Sequence, residues 1–387
     1  MKAALGLARR ALGTVAPNPA VGCILVRFDP GGITDDNGSV APGRIVGRGH
    51  TMPGGRPHAE TQALEAAGDL AHGATAYVTL EPCAHHGQTP PCARALIDAG
   101  VACVVVACKD ADPRVDGGGI AMLEKAGCEV RTGTCEAEAL ALNAGFFSTV
   151  ERDRPLVTIK TATTLDGRIA THTGESQWIT DEPARARGHL LRATHDAILV
   201  GSGTVRADNP DLTCRLPGLK ERSPVRVVLD GRLATPLTSR LVSTAAEQAT
   251  WIITLEGGDR VREKAFSEAG VQIIPVEADE DGRPSLHQAM RALKSRGITR
   301  LLVEAGGRLD AGFFRNNLVD RLVWFHAPFV IGGEGIPAVQ GFGVDHLHQA
   351  PRFRRVDVEQ VGPDLMEIYE VIASTGEGNT REEMRSR

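Results

Sequence analysis

The sequence predicts an α/β protein made of two units in tandem. Three observations carry this. At 387 residues the chain is too long for one ordinary domain. Helix-type and strand-type patterns alternate along both halves, the rhythm of sheets flanked by helices. A charged segment ending in proline, ERDRP at 151–155, separates two such runs. The boundary falls near residue 150, giving units 1–150 and 151–374, and a polar tail, 375–387, that is expected to be disordered.

In the first unit, residues 2–12 read as a helix and VGCILVRF at 21–28 as a strand. The stretch 29–43, rich in Gly, Asp, Asn and Pro, reads as a surface loop. RIVGRGH at 44–50 is a second strand, 58–67 a helix, and ATAYVTL at 74–80 a short buried strand. A helix at 93–99 closes on Gly100, and VACVVVAC at 101–108 is the continuous apolar run of a buried parallel strand. A helix at 119–126, a strand in CEVRTG and a helix over 136–149 complete the unit. The second unit offers strands at 156–162, 195–200, 225–230, 250–254, 271–275, 299–304 and 320–330.

Composition narrows the function. Hydrophobic residues make up 42% and charged residues 24%, values of soluble globular proteins, and the net charge is −5. That charge disfavours a nucleic-acid backbone as the main partner, though it leaves room for a local basic pocket. No run approaches a membrane span. The opening MKAALGLARRALG lacks a signal-peptide core and reads as an amphipathic first helix, so a cytoplasmic location is expected. The eight cysteines do not form the dense framework of a small secreted scaffold. Cys103, Cys108 and Cys128 lie in or beside apolar runs and read as buried thiols.

Cys83 and Cys92 differ. With His58 they are separated as three metal ligands would be, and Glu60 stands two residues from His58 at a helix start. Three protein ligands on Zn²⁺ leave a fourth position for water, whose pKa there falls toward about 7. Glu60 can then carry protons without ligating the metal. The two thiolates are expected at helix N-termini, where the dipole favours the anion. HxE followed by PC and a second Cys is the pattern of zinc-dependent base deaminases. Here eight residues, AHHGQTPP, separate the cysteines instead of two. His85 and His86 in that spacer are rival ligands, read instead as substrate contacts or exposed side chains. In the second unit no strand leads into GxGxxG, which disfavours a Rossmann domain. ILVGSGTVRADNP at 198–210 and LLVEAGGRLDAGFF at 301–314 are strand-to-helix turns whose N–H groups could hold phosphates.

APNPAVGCILV at 16–26, GRGHTMPGGRPHAE at 47–60, TLEPCAHHGQTPPCARALIDAGV at 79–101 and DADPRVDGGGIAMLEKAGCEV at 110–130 together resemble the bifunctional riboflavin-biosynthesis deaminase/reductase family. KTATTLDGRIA at 160–170, SQWIT at 176–180, the run 190–215 and VVLDG at 227–231 resemble its reductase half. The resemblance spans about residues 3 to 372. It implies a cytidine-deaminase-like three-layer domain followed by a dihydrofolate-reductase-like domain. It implies one Zn²⁺ per chain on His58, Cys83 and Cys92, with Glu60 catalytic, and NADPH as the second cofactor. NADPH contacts are implied at Ala162, Trp178, Thr204, Asp208, Gly306, Gly307 and Gly312. Contacts to a small phosphorylated pyrimidine are implied at Asn18, Ser176, Arg192, Leu212, Arg215 and Glu304. Arg192 and Arg215 make chemical sense as a phosphate clamp.

Some readings stay open. Asn18 could equally form an Asx turn before Pro19, Trp178 could be core, and Lys160 could be exposed or lie near the ribose. A nucleic-acid base deaminase and a non-catalytic second unit are the rival functions. No membrane or nucleic-acid partner is expected, and a homo-oligomer, dimer or tetramer, is. Three departures from the family stand out: Gln88 where it shows Arg, Asp181 where it has Gly, and a longer 29–43 loop.

Overall fold

The computed structural model describes residues 1–28, 43–84, 90–112 and 117–372. The 375–387 tail, almost all of the 29–43 loop, His85, His86 and Gln88 lie outside the described residues. The first half contains helices α1 (Lys2–Ala8), α2 (Ala59–Ala67), α3 (Cys92–Asp98), α4 (Gly118–Lys125), α5 (Glu136–Leu142) and α6 (Ala144–Glu151). Its strands are β1 (Gly22–Arg27), β2 (Arg44–His50), β3 (Thr75–Val78), β4 (Cys103–Val106) and β5 (Glu129–Thr132), in sheet order β2-β1-β3-β4-β5. β1 runs antiparallel to β2 and β3, and the remaining pairs are parallel.

Glycines show how the layers close. Side chains alternate across a strand. A β-carbon on Gly22 would run into the Ala4 carbonyl of α1, so α1 presses on that face of β1. Cys23 faces the other way, and its cross-strand partner Gly49 lies against the Ala59 carbonyl of α2. Helices therefore cover both faces, as a three-layer domain requires. The expected helix over 136–149 is two helices. Asn143 interrupts it because its side chain pairs with the backbone of Ala20, accepting from the amide at 2.9 Å and donating to the carbonyl at 3.1 Å.

The second half has strands β6 (Leu156–Thr164), β7 (Arg168–Ala170), β8 (Ala197–Gly201), β9 (Val225–Leu229), β10 (Thr250–Leu255), β11 (Gln272–Val276), β12 (Arg300–Val303), β13 (Arg321–Ala327), β14 (Ile336–Pro337), β15 (Phe353–Val361) and β16 (Asp364–Val371). Its helices are α7 (Glu182–Ala193), α8 (Ser202–Asp208), α9 (Arg240–Ser243), α10 (Arg260–Glu268), α11 (Leu286–Lys294) and α12 (Gly307–Arg315). Nine strands form one sheet, ordered β11-β10-β9-β8-β12-β6-β13-β16-β15. It is parallel from β11 to β13 and antiparallel beyond. The β15–β16 hairpin and the small β7–β14 pair were not anticipated. Asp181 caps α7, its carboxylate accepting from the Glu182 amide at 2.9 Å. Among the described residues no helix is long and apolar enough to cross a membrane.

Asp320 ties the junction. Its buried carboxylate takes hydrogen bonds from Arg152 at 2.7 Å, from Arg154 at 2.6 and 2.8 Å, and from the Val157 amide at 2.8 Å. These donors lie between the end of α6 and the start of β6. Breaking such a buried pair costs about 3–5 kcal/mol. Asp320→Ala should therefore lower the denaturant midpoint of the second sheet. A shift equivalent to less than about 1 kcal/mol would show that the junction does not depend on it.

Candidate functional site

His58 stands immediately before α2, in extended backbone, so its ring leaves the helix start. Glu60 occupies the first turn of that helix and is 4% exposed. Cys92 opens α3 as expected. Cys83 does not begin a helix of its own, contrary to expectation. It lies in the loop after β3, and its sulfur accepts the Cys92 amide at 3.3 Å, so both thiols share one helix N-terminus. His58 Nδ1 lies 3.2 Å from Cys92 Sγ and 3.8 Å from Cys83 Sγ, and the three ligand atoms fall within 4.8 Å of one another. Zinc bonds of about 2.3 Å to sulfur and 2.0 Å to nitrogen separate tetrahedral ligands by about 3.5 Å. These donors fit zinc by spacing and by chemistry.

The charges around them are tuned. Hydrogen bonds from Cys92 and His58 outweigh burial and pull the Cys83 thiol down to about 4. The same hydrogen bond, with burial, pushes Cys92 up. The bond to Cys83 raises His58. Burial pushes the Glu60 carboxyl up to about 7.

One residue at this site has a role that the sequence pattern does not give. Glu81, beside Pro82 and Cys83, is 3% exposed. Its oxygens accept four backbone amides: Gly119 at 3.0 Å, Gly117 and Ile120 at 3.2 Å, and Asp110 at 3.4 Å. That network holds the start of α4 against the cysteine loop, so closely that a β-carbon on Gly119 would strike the Pro82 carbonyl. A Glu directly before Pro-Cys was the available signal. Asn18 donates to the Val15 carbonyl at 3.4 Å and lies against Gly55, in the loop that leads to His58.

In the second half, Arg192 Nε and Nη2 donate to Glu304 at 2.8 and 2.9 Å, and Nη1 donates to the Thr213 carbonyl at 3.0 Å. Much of the fork expected to clamp phosphate is thus already engaged. Arg215 is exposed, and its amide donates to His189 Nδ1 at 3.3 Å. Burial works to raise Glu304, but Arg192, Lys160 and His189 hold its carboxyl down to about 2. Lys160 is half-buried beside this pair, its ammonium 5.6 Å from the Phe325 ring centre, and burial lowers its pKa. It is therefore not an exposed strand residue. Burial and the neighbouring Arg192 and Arg215 push His189 down to about 4, so it is neutral.

A cleft of about 1100 Å³ runs past the ends of β8, β9 and β12. Thr204, Asp208, Gly306, Gly307 and Gly312 all line it, whereas Ala162, Ser176 and Trp178 do not. Trp178 is not core: it is 64% exposed, with the Arg185 guanidinium 4.6 Å above its ring. The Leu212 side chain is buried in the core. Of the three cysteines read as buried, Cys103 and Cys108 are, and Cys128 is only partly so.

Residues 155–366 match the family model described as the RibD C-terminal domain, and residues 1–108 match the cytidine and deoxycytidylate deaminase zinc-binding region. The first of these covers more than half of the chain. The chain belongs to the RibD family. The riboflavin biosynthesis protein RibD of Bacillus amyloliquefaciens is 39% identical over 366 residues, covering 94% of each chain. That of Escherichia coli K12 is 39% identical over 376 residues, covering 94% of this chain and 96% of its own. The solved Acinetobacter baumannii RibD superposes with a TM-score of 0.81 at 36% identity, covering 96% of this chain and 97% of its own. A Thermotoga maritima structure, described as a diaminohydroxyphosphoribosylaminopyrimidine deaminase/5-amino-6-(5-phosphoribosylamino)uracil reductase, superposes at 0.80 with 34% identity and the same coverage. This RibD chain is a bifunctional deaminase and reductase of riboflavin biosynthesis, with a zinc-binding deaminase domain. The non-catalytic second unit is thereby set aside.

Two outcomes test this geometry. Cys83→Ser and Cys92→Ser should each lose bound zinc and deaminase activity together, and full zinc content by metal analysis in both would remove them as ligands. A Glu304 carboxyl held below its unfolded value near 4.5 stabilises the fold above that pH, and the contribution is lost as pH falls from about 4.5 toward about 2. Denaturant midpoints of wild type should fall over that window, and those of Glu304→Gln should be flatter. Parallel profiles would show that Glu304 carries no such linkage.

Proposed function

We propose that the first half deaminates a diaminopyrimidinone carrying a phosphoribosylamino arm, and that the second half reduces the ribose of that arm to a ribityl chain with NADPH. The substrate assignment follows the description of the Thermotoga relative. The observation that carries the first step is the His58/Cys83/Cys92 triangle with Glu60 buried beside it. One zinc per chain supplies a Lewis acid there, making water nucleophilic near neutral pH. Glu60, buried beside that position, carries protons to the ring nitrogen and the departing ammonia. Asn18, beside the loop that leads to His58, orients the pyrimidine.

For the second step NADPH supplies the hydride, and the protein positions the reactants. The glycine turns at Gly201 and Gly306 border the cleft that takes the cofactor, and the family resemblance assigns Ala162 and Trp178 to the cofactor as well. Glu304 stays ionised beside Lys160 and Arg192 and holds the ribose hydroxyls. Ser176 and the Leu212 backbone complete the pocket. Arg215, exposed and without an ion pair among the described residues, holds the phosphate in place of the two-arginine clamp. We place the domain boundary near residue 150 and the enzyme in the cytoplasm. We also infer a homo-oligomer, which the exposed Val356 and Val358 on edge strand β15 support. Low retention on RNA at low salt separates this from a nucleic-acid deaminase.

The two sites share no residue, so they should fail separately. Glu60→Gln should keep its zinc, lose about 10²–10⁴-fold in deamination, and still reduce the deaminated intermediate. Arg215→Ala should lose about ten- to a hundredfold in reductase kcat/KM, the size of a charge-assisted bidentate contact, with deamination intact. Both activities measured on both variants decide the matter. Loss of both in a folded Glu60→Gln protein would replace two sites with one.

A further inference from the structure

The cleft beside the glycine turns is bordered by five arginines: Arg206, Arg232, Arg283, Arg308 and Arg315. They are not equivalent. Arg283 and Arg315 lie 3.5 and 3.6 Å from an Asp281 oxygen. Arg232, two residues past Asp230 at the end of β9, is exposed, and among the described residues no ion pair involves it.

The end of β9 matters because of what an adenine ribose needs. In dinucleotide folds a carboxylate at a strand end accepts the ribose 2′-hydroxyl of the unphosphorylated cofactor, and an arginine nearby accommodates the 2′-phosphate of the phosphorylated one. Asp230 stands at such a strand end, but its oxygens are already committed. It is 2% exposed. Oδ1 accepts the Ala234 amide at 2.9 Å, and Oδ2 accepts the Thr235 amide and hydroxyl, both at 2.7 Å. Asp279, also on the cleft, accepts the amides of Arg283 and Asp281 at 2.8 and 3.0 Å. Of the other lining carboxylates, Asp281 is engaged by Arg283 and Arg315, and Asp208 belongs to α8 and not to a strand end. Gly231 lets Pro284 close to 2.8 Å from where a β-carbon would stand, so the 279–284 turn buttresses the turn that carries Arg232.

We infer that Arg232 selects the 2′-phosphorylated nicotinamide cofactor over the unphosphorylated one. With Asp230 bound to its own turn, the exposed guanidinium of Arg232, which no ion pair among the described residues engages, is what that strand end offers, and it matches a dianionic phosphate rather than a hydroxyl. This rests on the reading that the cleft takes the cofactor. The test is calorimetric titration of the full-length protein with NADP⁺ and, separately, NAD⁺. Arg232→Ala should weaken NADP⁺ about ten- to a hundredfold and leave NAD⁺ within about twofold. Arg232→Lys, keeping charge without the planar fork, should fall between. The ratio of reductase kcat/KM with NADPH and NADH should move in parallel. Unchanged NADP⁺ affinity, equal weakening of both cofactors, or discrimination lost only in Arg206→Ala would overturn the assignment. Wild-type protein binding neither cofactor, or failing to prefer NADP⁺, would instead overturn the cofactor reading beneath it.

Discussion

Burying a carboxyl group is costly unless hydrogen-bond donors meet its oxygens. Much of this molecule is arranged to satisfy that condition. Glu81 meets it with four backbone amides, and so holds the start of α4 against the loop that carries Cys83. Asp320 meets it with two arginines and an amide, and so fixes how the chain leaves α6 and enters β6. Glu304 meets it with Arg192, an arrangement that leaves a buried anion just after β12. In each case the donors come from segments distant in sequence, so the acid acts as a joint between elements.

The two sites use buried charge in opposite ways. Burial raises the Glu60 carboxyl against the pull of His58. Glu304 is kept permanently charged by its neighbours. Two buried carboxyls of the same residue type are thus shifted in opposite directions, distinguished only by what surrounds them. His189 and His195 show the complementary case: burial keeps both neutral, and His195 is spent bridging the Leu191 carbonyl, 2.7 Å away, and the Thr158 hydroxyl, 3.1 Å away.

The metal triangle was legible in the sequence because its chemistry demands particular residue types and the intervening apolar runs locate them on strand ends and helix starts. The parallel core strands were legible too, since burial on both faces leaves continuous apolar segments such as CVVV. What escaped had a physical reason. The strand Phe353–Val361 shows its faces mostly to solvent and carries charges throughout, so no alternation marks it. The break at Asn143 depends on Ala20, more than a hundred residues earlier. Lys160 could not be placed from its strand alone, because its burial comes from Phe325 on β13 and from Glu304 after β12. The role of Glu81 is not legible locally, since its four donors lie about thirty to forty residues further along the chain.

The contact between the halves has a consequence for how such a chain can be divided. Arg300, at the start of a central strand of the second sheet, reaches back to the Leu142 carbonyl at 3.2 Å, and Gly145 leaves no room for a side chain between α6 and that arginine. On the other side Gly13 lies directly on the Ala193 carbonyl, one residue from Arg192. Severing the polypeptide at the linker would strand a buried guanidinium and uncover closely fitted backbone on both pieces. Two catalysts that share no residue are in this respect one inherited object, and their fusion is structural as well as genetic.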